Sequence, residues 1–294
     1  MPRSRVERQR RIRRGRAWSN GSSRHSLACD RCSRSRYLHR AELPVTGAVP
    51  ELSIVLPVYN EGEDVSPVLR ALSLEVQTPH EIVVVYDFDG DTTVPVVALL
   101  AVEIPGLSGL RNDLGPGVLN AMKAGIAATT APYVLISMAD GSDEPGVVDA
   151  MVGLARAGAD VVAASRYMRG GRQIGGPFLK RLMSRTAGLT LHWFAGVPTH
   201  DPTSNFKLYS RRFLEATTIE SKAGFELALE LTVKATLADR RVAEVPTTWR
   251  DRTSGKTNFK LRKWLPHYLH WYAVAFRGAL RRRGGPESRG QSMP

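Results

Sequence analysis

The chain has 294 residues, 43% of them hydrophobic and 23% charged, which is enough apolar content for a core and too much for a disordered chain. Two cysteines exclude a disulfide framework and fit a reducing, cytosolic setting, and no apolar run reaches the roughly 20 residues that span a bilayer. The net charge is +13, but residues 1–40 hold 13 Arg against two acids and residues 277–294 hold five Arg against one, so the span between them is slightly acidic. A folded domain that grips a polyanion, and with it a nucleic-acid partner, is therefore not expected.

Residues 1–48 are rich in Arg and Ser and lack apolar periodicity, so they are expected to form a flexible basic arm. No apolar stretch follows the arginines, so no signal peptide is expected. His25, Cys29, Cys32 and His39 have the residue types of a zinc site, but the arm lacks the apolar residues a finger packs on its metal, which favours free thiols.

Folded structure is expected from residue 51. Residues 52–56 form an apolar, β-rich run stopped by Pro57, and the spacing of Val65, Leu69 and Leu72 predicts a helix over 63–74. A second apolar run covers 81–86 and stops at Asp87. The Gly115-Pro-Gly117 turn opens a helix over 118–129. Strands are expected at 133–137 and 160–164, with a helix over 146–157 between them. Alternating strands and helices, with strands apolar on both faces, predict an α/β domain with a mainly parallel sheet.

Polar clusters follow each predicted strand: Tyr59, Asn60 and Glu61 after the first, Asp87, Asp89 and Asp91 after the second, Asp140, Ser142 and Asp143 after the third, and Ser165, Arg166 and Tyr167 after the fourth. Ligands of open parallel sheets bind at the carboxyl ends of the strands, so four clusters there predict one site. The alternative, that acids and Asn simply populate turns, explains one cluster easily and four poorly. The early clusters are mostly carboxylates, which suit a divalent cation, Mg2+ or Mn2+, carrying a phosphate ligand. The cations come later: Arg166, Arg169, Arg172, Lys180, Arg181 and Arg185, then Arg250, Arg252 and Lys256. Together they suit clamping of a pyrophosphate.

Val55-Leu-Pro-Val-Tyr-Asn-Glu61, the acidic end of the second strand and Ala139-Asp-Gly-Ser-Asp143 resemble a family-2 glycosyltransferase of GT-A fold, a single Rossmann-like catalytic domain. Ser165-Arg-Tyr-Met-Arg-Gly-Gly171, Asp201-Pro-Thr-Ser-Asn-Phe206 and Arg250-Asp-Arg-Thr-Ser-Gly-Lys256 resemble its dolichol-phosphate (polyprenol-phosphate) mannosyltransferase branch. The resemblance covers about residues 51–262. It implies a nucleotide-sugar donor held by Pro57, Tyr59, Asn60, Glu61, Asp87, Asp89 and Asp91, with Arg250, Arg252 and Lys256 closing over its diphosphate. It implies Asp140 as metal ligand, with Ser142 where the branch has a metal-binding Gln. Arg166, Lys180 and Ser184 fall where the branch binds the acceptor phosphate, and Asp201 matches an acid near the reaction centre, the candidate base if the acceptor is a hydroxyl.

Two departures stand out. Met138 replaces the first Asp of the DxD motif, and the carboxyl-terminal transmembrane helices of the family are missing. Leu265, Leu269, Tyr272, Phe276 and Leu280 recur at helical spacing beside Trp264, Tyr268 and Trp271, and Arg277 and Arg281 to Arg283 follow, which predicts an amphipathic helix and basic tail over 263–294. Such a helix suits a membrane interface or packing on the domain. The expected protein is a metal-dependent, inverting enzyme on the cytoplasmic face of a membrane, moving a sugar to a polyprenyl phosphate. A binding protein that has lost its metal, transfer to a hydroxyl, and a separate membrane subunit that presents the acceptor stay open.

Overall fold

A computed structural model of the chain describes residues 49–251 and 261–284. The basic arm, with its Cys and His residues, lies outside them, as do Arg252, Lys256 and residues 285–294.

The first half alternates strands and helices: β1 (Leu52–Pro57), α1 (Val65–Glu75), β2 (His80–Tyr86), α2 (Thr93–Leu100), β3 (Leu107–Arg111), α3 (Val118–Ala128), β4 (Tyr133–Ile136), α4 (Val148–Arg156) and β5 (Val161–Ser165). The second half holds β6 (Arg172–Ile174), α5 (Phe178–Ala195), β7 (Lys207–Ser210), α6 (Arg211–Glu215), α7 (Leu227–Leu237), β8 (Val242–Pro246), β9 (Thr248–Arg250) and α8 (Leu261–Gly284).

Seven strands form one sheet in the order β3-β2-β1-β4-β7-β5-β8, and β6 pairs with β9 in a separate parallel ribbon. Six of the seven run the same way. Only β7 is antiparallel, lodged between β4 and β5. Two consequences follow for the site. The carboxyl ends of β1, β2, β4, β5 and β8 share one edge, and because β7 is reversed, the loop before it opens on that edge too. The order also reverses between β1 and β4, the switch point where parallel sheets open a crevice.

The alternation expected of strands buried on both faces is met. Ile54, Leu56, Ile82 and Val84 join α1, α2 and α4 on one face, while Val55, Val83 and Val85 meet Leu119, Met122, Leu227 and Leu231 of α3 and α7 on the other. α2 and β3 were not predicted. α2 is apolar almost all round, with no helical period to read, and β3 (Leu-Ser-Gly-Leu-Arg) is short and weakly apolar.

α8 packs on α5 and α7 through part of the aromatic set read from its sequence, Tyr268, Trp271, Tyr272 and Phe276, joined by alanines. Trp271, Ala275 and Ala279 are buried against Leu191, Ala195, Leu229 and Val233, and Tyr272 Oη donates to Thr190 Oγ1 at 2.9 Å. Leu269 and Leu280 of the expected stripe remain exposed. Ala275 and Ala279, which let the helices approach closely, were not read from the sequence.

Gly125 brings α3 onto the sheet: a Cβ there would lie 2.3 Å from Val55 Cγ1. Gly125→Ala gains helix propensity but overpacks the core. The net loss expected is about 1–2 kcal/mol, read as a fall in thermal midpoint of roughly 2–8 °C by calorimetry.

Candidate active site

The ends of β1 and β2 are latched together by backbone amides. Asp91 is buried, and its two carboxylate oxygens accept the Thr93 and Asn60 amides at 2.8 and 2.9 Å. Asn60 takes a left-handed conformation (φ 54°), and its Oδ1 accepts the Thr92 amide at 3.2 Å. Asp91 was expected to bind nucleotide, but with both oxygens spent on amides it shapes the loop instead. Asp87 is partly buried and accepts Asn112 Nδ2 at 2.7 Å and the Gly117 amide at 2.8 Å, pinning the turn that opens α3. Asp89 is exposed, 3.4 Å from Arg111, a pairing worth little in water. Pro57 is buried at the strand end, whereas Tyr59 is exposed and meets Phe88 edge-on, with ring centroids 5.9 Å apart. In the same loop the Glu61 amide donates to Thr93 Oγ1 at 3.0 Å.

At the end of β4, Met138 occupies the place of an acid, and its amide donates to Asp143 at 3.0 Å. Burial pushes the Asp143 carboxyl up to about 7, with help from neighbouring Asp140 and opposition from the Met138 amide. Ser142 is buried, and its amide and hydroxyl both donate to Asp140 Oδ1, at 3.1 and 2.5 Å. The Ser142 hydroxyl is thus turned onto the carboxylate of Asp140, the expected metal ligand. Among the described residues no three His, Cys, Asp or Glu side chains gather as a metal cage. A pair of carboxylates is the donor set that suits Mg2+ or Mn2+ arriving with a diphosphate, since such ions keep phosphate and water ligands.

The basic half is built around Arg166, at the end of β5. Its amide, Nε and Nη2 all donate to Asp201, the side-chain bonds being 2.6 and 2.9 Å long. Asp201 is fully buried and Arg166 nearly so. Burial opposes both charges, but each partner outweighs it for the other: Asp201 is held below the ordinary carboxylate range and Arg166 above its ordinary value. A carboxylate so occupied is a poor proton acceptor, and its bonds fix the Arg166 guanidinium in place. Arg166 Nη2 also reaches Ser184 Oγ at 3.3 Å, and Ser184 hydrogen-bonds Thr203 at 2.8 Å.

A cleft of about 370 Å³ opens here, lined by Arg166, Arg172, Arg181 and Arg185 with Phe178 and Leu182. Phe178, Arg181, Leu182 and Arg185 are spaced i, i+3, i+4 and i+7 and so share one face of α5. Lys180 is not among the lining residues. It sits about 100° around the helix from Arg181, which does line the cleft. Gly188 seats α5 directly on the loop before β7, since a Cβ would meet the His200 carbonyl oxygen at 2.2 Å.

The β6–β9 ribbon joins the two halves. The Arg250 amide donates to the Ser142 carbonyl at 3.1 Å, and Glu144 accepts the Thr248 amide at 2.6 Å. Exposed Arg250 is thereby held beside the β4 loop.

Sequence reasoning missed Glu144, Thr203, Glu244 and Lys207. Glu244 accepts Thr199 Oγ1 and the His200 amide at 2.9 and 2.8 Å and so braces the segment before Asp201. Lys207 is fully buried, its ammonium donating to the carbonyls of Asp201 and Ser204. A lysine within the apolar run Phe206 to Tyr209 was the available signal. Burial pushes Lys207 down to about 7, against the pull of Asp201. An unfolded lysine keeps its proton to about pH 10.4, so between there and pH 7 the unfolded chain binds more protons and this group makes stability rise with pH. Followed by denaturant titration from pH 6.5 to 10, the unfolding free energy of the parent relative to Lys207→Met is expected to rise with pH.

Residues 53–218 match the family model described as Glycosyl transferase family 2. A dolichol-phosphate mannosyltransferase of Pyrococcus furiosus is 25% identical over 229 residues, 76% of this chain and 63% of that protein, so the chain spans less than two thirds of this relative. A polyprenol monophosphomannose synthase of Mycolicibacterium smegmatis is 29% identical over 211 residues, 69% of this chain and 78% of that protein. Among solved structures, a glucosyl-3-phosphoglycerate synthase of Mycobacterium tuberculosis in complex with uridine diphosphate superposes with a TM-score of 0.56 at 20% identity, over 81% of this chain and 82% of its own. That likeness speaks for the GT-A fold. With the family model covering more than half of the chain, and acids and arginines meeting at one sheet edge, this protein belongs to glycosyl transferase family 2.

Proposed function

We propose that the protein moves a hexose from a nucleoside diphosphate sugar to a polyprenyl phosphate with inversion at the anomeric carbon. The observation that carries this reading is the cleft: four arginines around a space whose wall also holds Phe178 and Leu182, a fit for a phosphate on an apolar stem. The names of the two mannosyltransferase relatives support it.

The donor lies at the ends of β1, β2 and β4, its base against the Tyr59–Phe88 pair and its diphosphate toward Asp140, Asp143 and Arg250. Asp140 and Asp143 would hold Mg2+ or Mn2+, which would neutralise charge on the leaving diphosphate. Solved neighbours of the same fold contain Mn2+ with uridine diphosphate. A phosphate monoester is already anionic near neutral pH, so its oxygen attacks without a strong base. The new bond joins that oxygen to the anomeric carbon, and the electron pair of the breaking bond leaves on the diphosphate. Arg166 orients the attacking phosphate, and Asp201 orients Arg166. A lipid acceptor places the enzyme at the cytoplasmic surface of a membrane.

A second acceptor is favoured by one observation. Four arginines exceed the charge of one monophosphate, and a structural neighbour was solved with phosphoglyceric acid, so a small phosphorylated acid is the competing substrate.

The test is transfer from a panel of GDP- and UDP-sugars by the full chain, with Mg2+ or Mn2+, offering polyprenyl phosphate and phosphoglyceric acid in parallel. Transfer to the lipid supports the reading, and transfer to the acid alone replaces it with the second. Nucleotide binding without any transfer would mark a binding protein. Asp140→Ala is expected to lower transfer by at least about 100-fold. Asp201→Asn is expected to raise acceptor KM by roughly tenfold or more while leaving the acid limb of the pH–rate profile in place. Disappearance of that limb would restore Asp201 as a base.

A further inference from the structure

Resting on the reading of the arginine cleft as the phosphate-acceptor site, we propose that Lys207 is a positioning residue whose buried charge keeps Arg166 electrostatically available to the acceptor phosphate. Lys207 opens β7, is fully buried and does not line the cleft. Its ammonium bridges two carbonyls, that of Asp201 at 3.0 Å and that of Ser204. These carbonyls bound the turn Asp201-Pro-Thr-Ser204, so the bridge cinches it. At one end of the turn is the carboxylate that grips Arg166, and within it Thr203 meets Ser184, which Arg166 also reaches. A buried lysine is costly to keep charged, and two neutral carbonyls need only a neutral donor. The ammonium has a further partner. Against burial, and behind Arg166, its charge helps hold the Asp201 carboxyl below the ordinary range.

The reason lies in the charge of the ion pair. A guanidinium bonded through two nitrogens to one carboxylate is a nearly neutral unit, and a neutral unit attracts phosphate weakly. A second cation behind the carboxylate offsets its charge and leaves Arg166 positive toward the cleft. The other groups around Lys207 do not supply that charge. Glu244 of β8 is turned onto Thr199 and His200. On α7, Glu226 accepts the amides of Lys222, Ala223 and Gly224, and Glu230 accepts those of Glu220 and Ser221 and pairs with Lys234. Burial raises Tyr268 of α8, which stays neutral. Asp143, which feels Arg166 from the end of β4, brings negative charge as it ionises. Burial, with Arg166, brings Lys207 down to about 7 against the pull of Asp201 and Glu244, so both of its forms are present near neutral pH. A neutral amine keeps two hydrogens, one for each carbonyl. Deprotonation therefore leaves the turn cinched and removes only the charge, which separates an electrostatic role from a structural one.

The test compares the parent with Lys207→Met and Lys207→Arg, each as the full chain, at pH 6 and pH 8.5. The first measurement is binding of inorganic sulfate, a dianion throughout this range, by titration calorimetry at a salt concentration that screens the arginines of the arm. The second is the KM for acceptor and for donor in transfer to a short, water-soluble prenyl phosphate. Sulfate binding by the parent is expected to weaken from pH 6 to 8.5 by about fivefold or more beyond the change in Lys207→Met, where Asp143 still titrates. Lys207→Met is expected to lack that affinity already at pH 6, and Lys207→Arg, charged at both values, to keep it at pH 8.5. Acceptor KM should follow the same pattern while donor KM moves less than about twofold. The same pH dependence in the parent and Lys207→Met, a donor KM that shifts as far as the acceptor KM, or a parent that binds no sulfate overturns the proposal. If Lys207→Met does not fold, equal sulfate binding by the parent and Lys207→Arg at pH 8.5 overturns it. Sulfate binding that follows Lys207 as expected, with no transfer to any prenyl phosphate, fails the lipid-acceptor reading alone.

Discussion

Arg166 and Asp201 stand 35 residues apart and share a buried ion pair on which the basic half of the site depends. The pair ties the end of β5 to the loop before β7. Ser184 then ties it to α5, while Lys207 and Glu244 brace the loop from below and behind. Taking two charges out of water is expensive, and the cost is offset only where every lone pair and proton finds a partner. Asp201 meets that condition with three bonds from Arg166 and coulombic support from Lys207. Removing one member would leave the other buried and uncompensated, a loss of about 3–5 kcal/mol. Such a pair holds one guanidinium in one place, as a group that must orient a reacting phosphate requires.

The antiparallel β7 is what makes that pair possible. Had β7 run with its neighbours, the loop bearing Asp201 would open on the opposite edge of the sheet. Reversal brings the loop to the edge where β1, β2 and β4 end in acids. An acidic half and a basic half thus meet along one line, and the β6–β9 ribbon spans them through the Arg250 amide and Glu144. The separation of sign has a physical use: the acids suit a cation-borne diphosphate, and the arginines suit an anion that must come close to it.

Much of the parallel half was legible in the sequence because its strands are unbroken apolar runs, each punctuated by a polar cluster. Asp87, Asp140 and Arg166 were found that way, and all three stand at strand ends. Their partners were not legible. Asp91 read as a ligand because composition cannot show that its oxygens hold the Asn60 and Thr93 amides. The position of Ser142 in the motif does not show that its hydroxyl turns onto Asp140. Helical phase turns Arg181 and Arg185 toward the cleft, which their spacing alone did not single out. In α8 the aromatic residues Tyr268, Trp271, Tyr272 and Phe276 pack as their spacing suggested, whereas Leu269 and Leu280 stay exposed and Ala275 and Ala279 take their place.

The sequence by itself determined the fold class, the family and the sorting of acids before basic residues, because these rest on local apolar runs and on motifs a few residues long. The tertiary structure decided which oxygens are spent on backbone amides, which guanidinium is locked, which face of α5 lines the cleft and which face of α8 is covered. Those outcomes depend on contacts between segments tens of residues apart, set by one reversed strand and by glycines that admit close approach, and no local pattern encodes them.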